Sequence, residues 1–369
     1  MHFNSCCEVN MRRTTRAVRC GPVTIGGGHP VSIQSMTNTD TRNCEATLEQ
    51  IYALAECGCE IVRVAIPDRE AAQALSAIKK KSPLPVVADI HFDYRLALLA
   101  MENGADKIRI NPGNIGGKER LKEIYMKAAA CRIPVRIGVN AGSLEKDLTE
   151  RFGAPCAEAM CESACRAVAY AQDTGFSDLV VSIKSSDVRM NHRAHLLFAA
   201  ENDIPLHIGL TEAGIGEPAR VKSAVALGAL LLAGIGDTMR ISLTGDPVSE
   251  VALAKQVLTA AGVRQTGIDF ISCPTCGRTR VDLQAVAERI SRELAPLSES
   301  LAAQGSLLRV AVMGCEVNGP GEAAGADIGV ACGKGQGLIF LKGQPLKTVP
   351  ESEIVPELTR LIQKIELAK

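Results

Sequence analysis

Short runs of β-branched and apolar residues, each followed by a stretch of helical spacing, recur through the first two thirds of the chain. Eight runs of strand length stand at 31–34, 61–65, 85–90, 107–111, 134–139, 179–184, 206–210 and 239–243. Between them the period changes. Leu48, Ile51, Tyr52 and Ala55 stand at i, i+3, i+4 and i+7 ahead of Gly58, and Ala71, Ala74, Leu75 and Ile78 repeat the spacing after Asp68. Each such segment predicts a helix that buries one stripe against the strands. Eight βα units ending near residue 264 predict an α/β fold built on a closed parallel TIM (β/α)8 barrel, with a doubly wound open sheet as the alternative. The segment GGGHP at 26–30 reads as a hairpin turn covering the barrel bottom, because no helix follows it as a phosphate loop requires.

The texture changes after residue 264. A Cys pair, a helical segment over 282–294 and an apolar strand over 308–313 leading to Cys315 predict a second, smaller α+β domain over 265–369, distinct from a barrel over 1–264. The Gly-rich run at 333–337 reads as a turn between two β stretches, and the charged tail over 351–369 as a solvated helix.

Composition narrows the class. Apolar residues make up 46 % of the chain and aromatics 3 %, with no Trp, which suits small aliphatic side chains packed between helices and parallel strands. Lys plus Arg and Asp plus Glu are equal at 41 each, so no overall field attracts nucleic acid or an acidic membrane. The first twenty residues lack the apolar run of a signal peptide, and no segment approaches the ~20 apolar residues of a membrane span. A cytoplasmic protein is expected. Fourteen cysteines in a chain of 369 residues do not form the framework of a small secreted domain. Cys57, Cys59, Cys131, Cys161 and Cys165, beside Ala and Leu, read as buried free thiols.

In a barrel of this kind the active site lies at the C-terminal ends of the strands. Gln34, Ser35 and Thr37 close the first run, Arg63 lies in the second and His91 follows the third. Arg109 and Asn111 end the fourth, Asn140 the fifth, Lys184 the sixth, Thr211 and Glu212 the seventh, and Arg240 with Ser242 the eighth. Arg63, Arg109, Lys184 and Arg240 stand inside apolar runs, where an unpaired charge is costly. Asp89, Asp106, Asp178 and Asp187 could neutralise them singly. Convergence of all four on one face instead suits a phosphate or diphosphate, and so a small substrate of charge −2 or greater. His91, at a strand end in DIHFD, joins the substrate contacts.

Cys273-Pro-Thr-Cys276 puts two thiolates within reach of one metal, and Cys315 can supply a third. Gly319-Pro320-Gly321 turns the chain sharply and can return Glu322 towards that metal. Three thiolates and a carboxylate suit a 4Fe-4S cluster with one displaceable oxygen ligand. A structural zinc site completed by Cys332 is the alternative, in a barrel that binds a phosphorylated ligand without redox chemistry. A pterin-binding condensing enzyme on a similar barrel would leave the Cys domain idle.

The stretches RRTTRAV, SMTNTDT, VRVAIP, ADIHFD, KIRINPGNIG, IGVNAGSLE, SIKSSD, HIGLTEAG, GIGDTMRISLTGDP, ISCPTCGRT and GCEVNGPGEA together resemble the 4-hydroxy-3-methylbut-2-enyl diphosphate synthase family, bacterial iron-sulfur enzymes of the methylerythritol phosphate route to isoprenoids. The resemblance begins near Arg12 and covers nearly the whole chain; the first ten residues, with Cys6 and Cys7, precede it. It implies two-electron reductive ring opening and dehydroxylation of 2-C-methyl-D-erythritol 2,4-cyclodiphosphate, with Cys273, Cys276, Cys315 and Glu322 as cluster ligands. It also implies Asn318 near the reacting centre, and Arg63, His91, Arg109, Asn140, Lys184, Arg240 and Ser242 as substrate contacts. A homodimer, in which each cluster domain caps the partner's barrel, and a flavodoxin or ferredoxin as electron donor follow from the same resemblance.

Overall fold

The computed structural model describes residues 12–264, 267–315, 323 and 325–366. Asn318, Glu322, Cys6, Cys7 and the Gly319-Pro320-Gly321 turn lie outside the described residues. The chain divides into two compact units, Met1–Arg264 and Gln265–Lys369.

The first unit opens with a hairpin of β1 (Ala17–Cys20) and β2 (Val23–Gly26). The barrel strands follow, with their helices: β3 (Ser32–Met36), α1 (Cys44–Glu56), β4 (Ile61–Ala65), α2 (Arg69–Lys81), β5 (Val86–Asp89), α3 (Tyr94–Glu102), β6 (Lys107–Ile110), α4 (Lys118–Cys131) and β7 (Val135–Asn140). Then come α5 (Lys146–Phe152), α6 (Ala157–Asp173), β8 (Leu179–Lys184), α7 (Val188–Glu201), β9 (His207–Gly209), α8 (Gly216–Leu232), β10 (Thr238–Arg240) and α9 (Pro247–Ala260). All eight barrel strands run parallel in the order β8-β7-β6-β5-β4-β3-β10-β9. A parallel bridge between Val181 and Leu206 joins the two ends, so the sheet closes.

Period two sorts the strand residues. Val62, Val64, Ile108, Ile110, Val135, Ile137, Val139, Val181 and Ile183 face the helices in one large core, which leaves the alternate residues to line the barrel lumen. Aspartates just beyond the strand ends start several helices: Asp68, Asp93, Asp187 and Asp246 accept backbone N–H bonds as N-caps of α2, α3, α7 and α9.

The barrel bottom is closed by the hairpin, whose Val18, Cys20 and Ile25 pack on Ile61, Val87 and Val180. Its turn is Gly21-Pro22, not the GGGHP segment. The glycines Gly26, Gly27 and Gly28 have φ of 76°, 61° and 80° and carry the chain past Thr15, Arg16 and Ala17, where side chains at Gly26 and Gly27 would collide.

The second unit is a five-stranded sheet in sequential order: β11 (Gly267–Ser272), β12 (Leu307–Met313), β13 (Ile328–Cys332), β14 (Gln336–Leu341) and β15 (Gln344–Pro350). The first three are parallel and the last two join antiparallel. Two helices, α10 (Leu283–Glu293) and α11 (Ala295–Ala303), stand where one was expected. The tail helix α12 (Ile354–Glu366) is not simply solvated: Ile354, Val355, Leu358 and Ile362 are buried in the second core with Ile290, Val310, Val330 and Ile339. Among the described residues no helix is long and apolar enough to cross a membrane.

Candidate functional site

The barrel mouth is built from the lumen-facing ends of the strands. Asp89, at the end of β5 and 2 % exposed, is the centre of an ion cluster. Its carboxylate lies 3.0 Å from Arg109 Nη1, 3.8 Å from Arg63 Nε and 3.9 Å from His91 Nε2. Burial alone would push Asp89 up, but Arg63, Arg109 and Arg136 outweigh it and hold the carboxyl at about 2. Arg63, pushed down to about 10 by burial and partly restored by Asp89, remains charged at neutral pH. Across the mouth Arg240 meets Glu250 of α9 at 3.2 Å, and Glu250 also accepts from Ser35 Oγ and the Leu243 N–H. Met36 Sδ accepts from both Arg63 Nε (3.1 Å) and Arg240 Nη1 (3.5 Å).

Lys184, at the end of β8, has no ion-pair partner among the described residues. Burial first, and then Arg136, Arg63, Arg240 and Arg109, press its pKa well below the usual lysine range. Of the other carboxylates considered from the sequence, Asp106 holds Lys79 at 2.6 Å, Asp187 caps α7 and Asp178 is exposed. Of these four aspartates, Asp89 alone meets mouth cations.

Two further cations share this lumen. Arg136 lies two residues below Gly138 and four below Asn140 on the same face of β7, 1 % exposed, with Nε and Nη1 unpartnered. Lys107 lies two residues below Arg109 on β6, fully buried, with Nζ unpartnered. Six basic side chains, Arg63, Lys107, Arg109, Arg136, Lys184 and Arg240, thus line this interior against the carboxylates of Asp89 and Glu250, with Asp106 acting on Lys107. Such an interior can take up a multiply charged anion and gains stability by doing so.

Glycines make room for these groups. A Cβ on Gly209 of β9 would lie 2.6 Å from Lys184 Nζ and 2.8 Å from the Arg240 carbonyl oxygen. One on Gly138 would lie 2.9 Å from Arg109 Nε. Neither glycine has a positive φ, so space rather than backbone conformation demands them.

Beside the ion cluster a cleft of about 490 Å³ is lined in part by His91, Arg109, Asn111, Asn140, Thr211 and Glu212. His91 is half exposed. Glu212 holds φ 54°, a left-handed conformation uncommon for glutamate and enriched at sites where geometry outweighs strain. Ser242 follows β10 on the face of Arg240 and is half-buried.

In the second unit the parallel register pairs Ser272 with Val312, so Cys273, Cys276 and Cys315 all follow the same end of β11 and β12. The Gly314 N–H donates to Cys273 Sγ at 3.2 Å. The Arg278 backbone N–H, and then its side chain, draw the exposed Cys276 thiol down. The three cysteines are free thiols. Among the described residues no three His, Cys, Asp or Glu side chains gather at metal-binding distance. The donor set nevertheless fits an iron-sulfur cluster, since such groups are held by cysteine sulfurs, and Cys273 already accepts a backbone N–H bond of the kind that tunes them. Cys332 is buried among Val330, Ile339 and Ile354. Its thiol is pushed up to about 12, chiefly by burial, as for a small apolar residue. The other expected buried thiols divide: Cys59 and Cys161 are buried, Cys57 and Cys165 are half-buried, and Cys131 is exposed.

A closed (β/α)8 barrel with a cationic mouth, followed by an α+β unit carrying three thiols at one sheet end, defines a two-domain barrel protein with a cysteine-bearing second domain. The GcpE TIM-barrel domain matches residues 15–255 and the GcpE protein C-terminal domain matches 269–364. The chain is 51 % identical to the 4-hydroxy-3-methylbut-2-en-1-yl diphosphate synthase (flavodoxin) of Geobacter sulfurreducens, over 96 % of this chain and 99 % of that one. It is 52 % identical to the protein of the same name from Aquifex aeolicus, over 96 % and 98 %. Among solved structures, the dihydropteroate synthase of Stenotrophomonas maltophilia matches at a TM-score of 0.50 and 14 % identity, over 67 % of this chain and 98 % of that one, a likeness of barrel fold alone. The chain belongs to the GcpE family of 4-hydroxy-3-methylbut-2-en-1-yl diphosphate synthases.

Proposed function

We propose that this enzyme converts 2-C-methyl-D-erythritol 2,4-cyclodiphosphate to (E)-4-hydroxy-3-methylbut-2-enyl diphosphate by two-electron reductive ring opening and dehydroxylation, a cytoplasmic step of isoprenoid biosynthesis. The observation that carries this reading is the excess of buried cations over carboxylates in the barrel lumen, with Lys184 unpaired. A cyclic diphosphate supplies the missing anions. Arg63, Arg109, Lys184 and Arg240 hold its phosphate oxygens, while Asn140, Ser242 and His91 orient the ring from the rim. Asp89 keeps Arg63 and Arg109 splayed in place rather than neutralised by substrate alone, so the site is preorganised before binding.

Cys273, Cys276, Cys315 and Glu322 would hold a 4Fe-4S cluster, which when bound supplies electrons one at a time at potentials such thiolate-held groups reach. Asn318, four residues before Glu322 in the chain, would act near the reacting centre. Flavodoxin is the electron donor, on the strength of the relatives' names. The functional unit is a homodimer, and Val221 and Val225, exposed one turn apart on α8, offer an apolar surface that a second copy would bury.

The test is anaerobic turnover of the cyclic diphosphate with reduced flavodoxin, followed by phosphorus NMR. Appearance of the linear diphosphate supports the assignment; a cluster-loaded enzyme that leaves the substrate intact overturns it. Gly209→Ala gives a finer check. Its Cβ displaces the Lys184 ammonium, so KM for the cyclic diphosphate is expected to rise about tenfold, with a stability cost of about 1–3 kcal/mol from overpacking. An unchanged KM would show that Lys184 does not hold the substrate.

A further inference from the structure

The basic side chains of the lumen do not all belong to the mouth. Alternate strands of a closed (β/α)8 barrel send their inward side chains into stacked layers. The strand registers, followed round the closed sheet, assign those layers here. Arg63, Arg109, Ser182 and Arg240 form the upper layer. Gln34, Val87, Arg136 and His207 form the next, and Ile61, Lys107, Val180 and Thr238 the lowest. Beneath them Val18, Cys20 and Ile25 of the hairpin pack on Ile61, Val87 and Val180, so an apolar floor closes the lumen from below.

The two lower layers hold five polar side chains, none more than 1 % exposed. Gln34 Nε2 and Oε1, Lys107 Nζ, Arg136 Nε and Nη1, both ring nitrogens of His207 and Thr238 Oγ1 have no hydrogen-bond partner among the described residues. Buried polar groups are ordinarily paired, and a buried charge without a counter-charge is costlier still. Neither layer contains a carboxylate. The two aspartates that act on these cations are engaged elsewhere. Asp89 meets Arg109 and Arg63, and Asp106 holds Lys79 at 2.6 Å and accepts the Val86 N–H at 2.7 Å. Lys107 is pushed down to about 8, by burial first, and so keeps its proton at neutral pH. His207 lies well below its ordinary value, again through burial first, and is a neutral imidazole with one N–H to donate.

We propose that these two layers form a binding site for one small monovalent anion of the halide class, held between Lys107 Nζ and Arg136 Nε, with His207, Gln34 and Thr238 donating around it. A single atom fits between side chains packed at interior density, where a tetrahedral oxyanion needs a larger opening. A water molecule can satisfy hydrogen bonds but leaves the two charges uncompensated. The site is distinct from the proposed substrate contacts, which lie in the upper layer and at the rim. Its anion stabilises the folded barrel and remains in place when a diphosphate enters above.

Crystals of the full-length, anaerobically purified enzyme in sodium bromide, measured at the bromine absorption edge, test this. One anomalous peak within hydrogen-bonding distance of Lys107 Nζ and an Arg136 nitrogen is expected, and it should persist with the cyclic diphosphate bound. In solution, chloride or bromide in place of gluconate at constant ionic strength should raise the melting temperature by several degrees. Lys107→Met should lose most of that shift, and Lys184→Met, at the mouth, should keep it. If Lys107→Met fails to fold, the bromide peak in the wild type decides alone. None of these readouts uses turnover, so they stand apart from the assignment of the reaction. Water without anomalous signal in the lower layers, bromide bound only among Arg63, Lys184 and Arg240, or a lower-layer peak displaced by the diphosphate would each overturn the proposal.

Discussion

Lys184→Met is expected to lower kcat/KM for the cyclic diphosphate by a factor of about 10² to 10³, with the fold intact. Met keeps the length and apolar stem of the side chain, so what is lost is the one buried cation of the mouth that has no carboxylate of its own among the described residues. A desolvated charge-assisted contact of this kind contributes about 3–4 kcal/mol to binding the reacting anion, which corresponds to that factor. A second consequence follows from the direction of the lysine's pKa. Burial and the surrounding guanidiniums press it down in the free enzyme; a bound diphosphate pushes it back up. Binding therefore takes up a proton wherever the free lysine is neutral, and affinity falls as pH rises through its free-enzyme pKa. Titration calorimetry in two buffers of different ionisation enthalpy reads this uptake, which Lys184→Met should reduce. Equal proton uptake in both proteins would remove Lys184 from the binding site.

Asp89→Asn should destabilise the barrel by about 3–5 kcal/mol at neutral pH. The carboxylate is 2 % exposed and faces two guanidiniums, and removing one member of a buried ion cluster leaves the others unpaired. The sign with pH can be worked out. The folded carboxyl sits at about 2, below its ordinary 3.8. Its stabilisation is therefore fully present above about pH 4 and fades as pH falls through the folded value. That difference corresponds to roughly 2–3 kcal/mol that the wild type loses in acid and the variant does not. Inorganic phosphate should partly restore the variant by mass action, because the unpaired arginines gain an anion. Urea unfolding monitored with and without phosphate measures both effects; a variant as stable as wild type would show that Arg63 and Arg109 do not depend on Asp89.

The barrel was legible because eight β-branched runs alternate with helical spacing, and the second unit because the pattern breaks at residue 264. The four mouth cations were legible as charges inside apolar runs. Arg136 and Lys107 carry the same signal and went unused. Period two places Arg136 on the face of Asn140, and Lys107 on the face of Arg109, but reading only strand ends passes over charges deeper in the lumen. Glu250 was also detectable, since it falls among Pro247, Val251, Ala254 and Val257 on the buried face of α9, where a carboxylate needs a cation. Three features were not legible. The hairpin turn at Gly21-Pro22 is outweighed locally by a triple glycine whose purpose is close passage past Thr15–Ala17. The alternation in Gly267–Ser272 is too short to separate a strand from a loop. The hydrogen bond from Asn202 Nδ2, after α7, to Cys165 Sγ on α6 at 3.6 Å depends on helix packing, which no local pattern encodes.

Iron, sulfide and zinc counted per chain on anaerobically purified protein, together with its visible spectrum, bear most directly on the claim that Cys273, Cys276 and Cys315 hold a redox group serving the barrel site. About four iron and four sulfide with a brown chromophore, falling away in Cys276→Ser, is the predicted result. Stoichiometric zinc without iron, persisting after anaerobic reconstitution with iron and sulfide, would contradict it and leave the barrel as an anion-binding protein without reductive chemistry.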